Sequence, residues 1–132
     1  PIAHDHYGWS DAPRFAFKPL PWSDLIELPV TTAMFGNKRL AAGGGGFFRV
    51  LPYAFSRWAI RQVNRRDHRP AVFYFHPWEI DPLQPRLQGI GLRTRFRHYL
   101  NLNRTYARLT RLLADFRWGR MDEIFLPGEG RS

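Results

Sequence analysis

Residues 71–76, Ala-Val-Phe-Tyr-Phe-His, form a continuous apolar run that ends in a histidine. The run is bounded by the turn-forming residues 65–70 and by Pro77, a pattern typical of a short strand that is covered on both faces. A helical pattern precedes this run in the sequence. We therefore predict a parallel α/β layer with His76 at the carboxyl end of a strand, where such proteins place their ligands.

Two amphipathic helices are predicted from apolar side chains that recur at helical spacing, with arginines toward the other side. The first begins near Leu51, and Pro52 is compatible with its first turn, where no N–H is needed. Its predicted apolar face consists of Leu51, Phe55, Trp58, Ala59 and Val63. The second is predicted over residues 102–116. Its predicted apolar face consists of Leu102, Tyr106, Leu109, Leu113 and Phe116.

The remaining segments are predicted to be loops and short strands. Residues 1–24 mix aromatic residues with prolines and have no period, which indicates an ordered loop. Residues 25–32 are predicted as an edge or irregular strand, because Pro29 has no N–H for a ladder. Residues 77–92 are predicted as a structured loop, and residues 121–125 as a last short strand.

The four glycines at 43–46 resemble a phosphate-binding loop only in composition. They lack both the Gly-Lys-Ser/Thr ending and the spacing of dinucleotide-binding motifs. The prediction is therefore limited to a close approach of the backbone to a ligand or to another strand.

Length and composition indicate one globular domain, because the chain has 132 residues of which 44% are hydrophobic. It has no cysteine, which excludes disulfides and thiolate metal sites. No apolar run approaches the ~20 residues of a membrane span. Pro1 and the residues after it do not form a secretory signal, so we expect a chain cut from a longer protein, of the bacterial cytoplasm or periplasm. Residues 126–132 are expected to fray.

The formal net charge of +9 suggests a polyanionic partner at first sight. Eighteen of the twenty basic residues are arginines, and they are spread along the chain instead of forming a block. A preference for arginine over lysine is also produced by genome composition alone. Nucleic-acid binding is therefore kept only as an alternative.

His76 is the residue best suited to catalysis, because an imidazole can serve as general acid or base near neutral pH. A structural histidine that caps the strand through a backbone carbonyl is the competing interpretation. Trp78 offers a flat apolar surface for a sugar ring, or it covers the end of the core. Glu79 and Asp81 could orient an imidazole or bind substrate, although such residues are more often solvated loop carboxylates.

His4-Asp5-His6 is a weak candidate for a metal site. Adjacent residues of an extended segment point to opposite sides, so only His4 and His6 could converge on one ion. No second cluster in the sequence supplies an obvious third ligand. We therefore predict no metal ligand within this chain.

Several segments resemble the C-terminal part of the polysaccharide deacetylases associated with exosortase/PEP-CTERM exopolysaccharide systems, in the NodB-type carbohydrate esterase superfamily. They are Ala-Gly-Gly-Gly-Gly-Phe-Phe-Arg-Val-Leu-Pro at 42–52, Phe-Tyr-Phe-His-Pro-Trp-Glu-Ile-Asp at 73–81, and Arg-Phe-Arg-His-Tyr-Leu-Asn-Leu at 95–102. The opening residues 4–8 and 11–15 are similar to the segment where that part begins. The resemblance covers nearly the whole chain.

The resemblance implies an α/β fold, the C-terminal portion of a distorted (β/α) barrel with parallel strands alternating with amphipathic helices. It implies a divalent metal, zinc by preference, that an Asp and two His hold, and a second Asp that activates water. His76 matches the general acid that protonates the leaving amine of an acetylated polysaccharide. The predicted substrate-binding residues are Trp78, Glu79, Arg14, Tyr7 and Asp5.

The metal-binding motifs of the family lie upstream of the region that aligns, so residues 1–132 are predicted to be one incomplete domain that is inactive alone. Its expected partners are the upstream half of the deacetylase domain and the polysaccharide. Self-association is also expected, because a divided barrel exposes strand edges. The alternatives are a non-catalytic carbohydrate-binding or assembly module that uses Trp78, Trp9 and arginines on an acidic polysaccharide, and a basic nucleic-acid-binding domain.

Overall fold

The computed structural model describes residues 11–89 and 91–126. Its elements in chain order are β1 Thr32–Phe35, β2 Lys38–Ala41, α1 Gly45–Val50, α2 Tyr53–Arg65, a 3-10 turn Pro77–Ile80, α3 Leu92–Tyr99, α4 Leu102–Asp115 and α5 Met121–Phe125. Strands β1 and β2 form an antiparallel hairpin in which Thr32 pairs with Ala41. The strand β2 and the helices α1 and α3 were not predicted from the sequence. None of the described helices is long and apolar enough to cross a membrane.

The two predicted amphipathic helices are confirmed as α2 and α4, but their buried faces are rotated from the predicted ones. The buried residues are Ser56, Ala59, Ile60 and Val63 on α2, and Leu102, Thr105, Leu109 and Leu112 on α4. Trp58, Tyr106 and Leu113, which were predicted on the apolar faces, are 39%, 64% and 53% exposed. Thr105 is buried because its hydroxyl donates to the carbonyl of Asn101 in the preceding turn, and for this reason a pattern of apolar residues alone did not identify the buried face.

The core lies between α1, α2 and α4. Phe48 of α1 packs against Ile60, Leu109 and Leu112, and its ring meets Phe73 edge to face at 5.2 Å. A smaller cluster of Ala33, Ala42 and Ala59 joins the hairpin to α2. The side-chain amide of Gln62 fastens the same contact, because it accepts from the N–H of Met34 at 2.7 Å and donates to the Met34 carbonyl at 2.8 Å.

The predicted strand at 71–76 is an extended segment with a single parallel bridge, between Tyr74 and Gly44. The N–H of Tyr74 donates to Gly43, and the N–H of Gly45 donates to Tyr74. The prediction that both faces are covered is wrong for this part of the chain. Phe73 packs on the core, whereas Tyr74 and Phe75 are 44% and 38% exposed.

Two short-strand predictions are also corrected. In residues 25–32 the structure has only a bridge from Glu27 to Phe17, and β1 begins at the end of that range, because Pro29 interrupts the ladder. Residues 121–125 form the helix α5 instead of a strand. Asp122 and Glu123 lie in its first turn, where acidic side chains stabilise the helix N-terminus.

Candidate active site

The glycine run lets two chain segments meet at van der Waals distance. A Cβ on Gly43 would overlap the carbonyl oxygen of Val72, and a Cβ on Gly45 would overlap the carboxylate of Glu79. The predicted close approach is thus confirmed, toward another segment of the chain. It brings α1 directly onto the 3-10 turn that carries Glu79.

A buried ion pair joins α1 to this turn. Nε of Arg49 lies 3.0 Å from Oε1 of Glu79, and the two side chains are 6% and 3% exposed. A second nitrogen of Arg49 donates to the carbonyl of His98 at 2.7 Å. Arg49 therefore neutralises the buried carboxylate and also ties down the end of α3.

Glu79 in turn holds His76. Its Oε2 accepts from the backbone N–H of His76 at 2.8 Å and lies 3.6 Å from the ring Nδ1. At 3.6 Å this contact is longer than a hydrogen bond, so it helps to orient the ring without fixing which ring nitrogen carries the proton. The His76 side chain is 55% exposed. The Nε2 edge is therefore the part of the ring that is available to a ligand.

His76 belongs to a row of aromatic rings, the ring stack, formed by Tyr74, His76, Trp78, His98 and Tyr99. The centroids of His76 and Trp78 are 5.7 Å apart and those of Trp78 and His98 are 4.3 Å apart, with nearly parallel planes. Tyr74 and Tyr99 contact the two ends edge-on. The stack fixes the direction in which the His76 ring points.

Gln84, in the segment between the 3-10 turn and α3, is bonded to two members of the ring stack. Its side-chain nitrogen donates to the Trp78 carbonyl at 2.8 Å, and its Oε1 lies 3.0 Å from Nε2 of His98. The Arg49 guanidinium lies 4.8 Å from the Trp78 ring centroid. The His98 ring and the Arg49 guanidinium both lie against the Trp78 ring. These contacts favour the interpretation in which Trp78 covers the end of the core. Its predicted contact with substrate stays a prediction.

The other predicted site residues are placed as follows. Glu79 is buried, so it is not a solvated loop carboxylate, and its burial favours a role in orienting His76 over a role in substrate binding. Arg14 donates to the Thr32 carbonyl at 2.8 Å and to Asp67 at 2.9 Å, so its described contacts fasten the amino-terminal segment to β1 and to the end of α2. Tyr7 and Asp5 lie outside the described residues.

The described residues do not fit a metal site. Among residues 11–89 and 91–126 no three His, Asp or Glu side chains come together as ligands. Glu79 is bound to Arg49, and His98 is bound to Gln84. The His4-Asp5-His6 candidate falls outside the described part. The site as described suits proton transfer at His76.

Sequence reasoning assigned no role to Arg49, His98 or Gln84. One signal was present, because Arg49 is a lone charge in the apolar run from Phe47 to Leu51. A buried position for that residue requires an acidic partner. Nothing in the local pattern singles out Glu79 as that partner, since the two residues meet only through the tertiary fold.

Gly45→Ala is expected to lower the free energy of unfolding by about 2 to 3 kcal/mol, because the new methyl group must displace a buried, paired carboxylate. Gly46→Ala is the matched control. Apart from its chain neighbours and the backbone of its own helix, nothing lies within 4 Å of the Cβ position of Gly46, so stability should stay unchanged or rise by up to about 1 kcal/mol. Urea unfolding measures both variants. Equal effects in the two variants would contradict the close packing of Gly45 on Glu79.

Comparison with protein-family models gives a match over residues 1–126 to the family described as Domain of unknown function (DUF3473). No curated protein and no solved structure matches the chain.

Proposed function

We propose that this chain, which belongs to the family described as Domain of unknown function (DUF3473), is part of a metal-dependent polysaccharide deacetylase acting on N-acetyl sugars of an exopolysaccharide. The observation that carries the proposal is the exposed imidazole of His76, backed by the buried pair of Glu79 and Arg49. The resemblance of residues 42–52, 73–81 and 95–102 to deacetylases supports the choice of reaction.

His76 is proposed as the general acid. Hydrolysis of an acetamide breaks a C–N bond, and the amine is a poor leaving group until its nitrogen receives a proton. In the charged imidazole both ring nitrogens carry protons, so Nε2 can donate one to the departing amine while Nδ1–H stays toward Glu79. Glu79 is a positioning residue here, since it acts through His76.

The metal belongs to the proposal through the resemblance alone. A divalent ion, zinc by preference, would supply an activated water, and its ligands would lie outside the described residues. None of the described side chains is proposed to bind this ion. The chain by itself is accordingly proposed to be inactive.

A position within a distorted (β/α) barrel is proposed for the same reason. The single parallel bridge of Gly44 with Tyr74, with α1 and α2 between the two residues in the chain, has the direction of a parallel crossover and supports this position. The exposed rings of Tyr74 and Phe75 offer a surface on which neighbouring strands of a larger domain, or a second copy of the chain, could pack.

The test compares the complete protein that carries this chain with the 132-residue chain alone, each with added Zn²⁺ or Co²⁺, on N-acetylated oligosaccharides. We expect release of acetate by the complete protein, abolished by a chelator, and none by the chain alone. An inactive complete protein that still binds the oligosaccharides would replace the proposal with a carbohydrate-binding role. Turnover by the chain alone would refute its proposed incompetence.

A further inference from the structure

A second candidate site lies along α2. It is an open cavity of about 590 Å³, the arginine groove, whose lining includes Tyr53, Arg57, Trp58, Arg61, Arg65 and Arg111. These side chains come from α2 and α4. None of them belongs to the ring stack.

One carboxylate serves several of these guanidinium groups. Asp115 accepts a hydrogen bond from the Tyr53 hydroxyl at 2.6 Å and lies 3.1 Å from Nε of Arg57. The Tyr53 hydrogen bond, and then the charges of Arg57, Arg111 and Arg61, hold the pKa of Asp115 below its usual value. Burial, and then the bond to Asp115, raise the pKa of Tyr53 to about 12. Asp115 is therefore negatively charged at neutral pH, and the arginines that line the groove carry more positive charge than this one carboxylate neutralises.

The excess positive charge is arranged in a row. Arg57, Arg61 and Arg65 follow one another at every fourth residue of α2, so their Cα atoms are about 6 Å apart along one side of the helix. Within residues 11–89 and 91–126 no ion pair joins Arg61 or Arg65 to a carboxylate. Like charges at this spacing destabilise a helix. A bound anion would remove that repulsion.

The aromatic residues indicate what kind of anion fits. Trp58 lines the groove and is 39% exposed, whereas the Tyr53 ring is covered by the Arg111 guanidinium at 4.7 Å. The groove thus offers one open ring beside a row of guanidinium groups. Proteins that bind single-stranded nucleic acid stack successive bases on successive aromatic rings. A single open ring beside charged groups therefore fits a chain of charged sugars better than it fits a single-stranded nucleic acid.

We infer that the arginine groove binds an acidic polysaccharide, with sugar carboxylates on Arg61 and Arg65 and one sugar ring on Trp58. Guanidinium groups bind carboxylates through paired, charge-assisted hydrogen bonds, which gives such a site its geometry. The inference goes beyond the proposed deacetylase role and does not depend on it, since the groove involves none of the residues that surround His76.

Calorimetric titration of the chain with a short oligogalacturonide tests the inference, with a neutral maltooligosaccharide of the same length for comparison. We expect saturable binding of the acidic sugar only, weakened roughly tenfold by Arg61→Gln and by Arg65→Gln. Trp58→Ala should weaken it by a similar factor. Arg120→Gln is the matched control, because it removes one charge from an exposed side chain outside the groove and should change the affinity by less than about twofold.

Three results would overturn the inference. The first is the absence of binding to the acidic sugar. The second is an equal loss in Arg61→Gln and in Arg120→Gln, which would mean that only net charge matters. The third is tighter binding of a single-stranded oligonucleotide of equal charge through the same arginines, which would assign the groove to nucleic acid. Thermal unfolding of each variant shows whether it retains the wild-type fold.

Discussion

Glu79→Ala is expected to lower the free energy of unfolding by about 3 to 5 kcal/mol, because it leaves the buried Arg49 guanidinium without a counter-ion. The same substitution removes the acceptor for the backbone N–H of His76. Urea unfolding of the chain, followed by tryptophan fluorescence, measures the loss. A loss of this size is a substantial part of the about 5 to 15 kcal/mol by which most domains are stable, so the fraction of the variant that is folded at room temperature is measured as well.

The exposed pair of Lys18 and Asp24 provides a matched control. Its atoms are also 3.0 Å apart, but the side chains are 53% and 96% exposed, so Asp24→Ala should change stability by less than about 1 kcal/mol. Replacing both members of the buried pair, as Arg49→Met with Glu79→Leu, should cost less than the sum of the single changes. A loss from Glu79→Ala as small as that from Asp24→Ala would contradict a buried, compensated charge.

The sequence was sufficient to predict the two long helices, because their apolar side chains recur with helical period and Pro52 marks the start of α2. The buried faces were less predictable. Thr105 is buried by bonding back to its own helix, and Tyr106 next to it is exposed although it is aromatic. Local polarity alone does not distinguish these two positions.

Short segments were predicted worst. The segment 121–125 is too short to show a helical or strand period. Its apolar residues suggested a strand, although the acidic residues of its first turn favour the helix α5. The apolar run at 71–76 was recognised as extended and as parallel to its neighbour. Its exposure depends on which segments lie beside it, and sequence periodicity does not carry that information.

The candidate site was predicted in part for a similar reason. His76 and Glu79 are three residues apart, so their proximity follows from any turn at Pro77. Arg49 and His98 approach them from distant positions in the chain, through contacts with the glycine run and with α3. Only the fold brings these residues together. The stack on Trp78 and the neutralisation of Glu79 therefore had no local signature.

Loss of the His76 imidazole is expected to have the largest effect on activity. General acid catalysis by a positioned side chain contributes about 10²- to 10⁴-fold to rate, so His76→Asn in the complete protein should lower kcat for N-deacetylation by that factor. Asparagine retains a polar group near Glu79 but has nothing at the position of Nε2. KM should change little, because the proton is needed in the transition state.

His68→Asn is the matched control, because His68 lies outside the ring stack and has a positive φ of 52°, which asparagine tolerates. Its kcat should remain close to that of the wild type. A loss of activity in this variant similar to that in His76→Asn would indicate a general sensitivity to substitution instead of a role for one imidazole.

The central claim is that His76 gives a proton to the leaving amine, and the most direct measurement compares two substrates in the His76→Asn variant of the complete protein. An N-acetylated oligosaccharide needs that proton, whereas 4-nitrophenyl acetate releases a stable anion without it. The account predicts a fall in kcat of about a hundredfold or more for the amide and less than about tenfold for the activated ester. Equal losses for both substrates, or an unchanged rate on the amide, would contradict it.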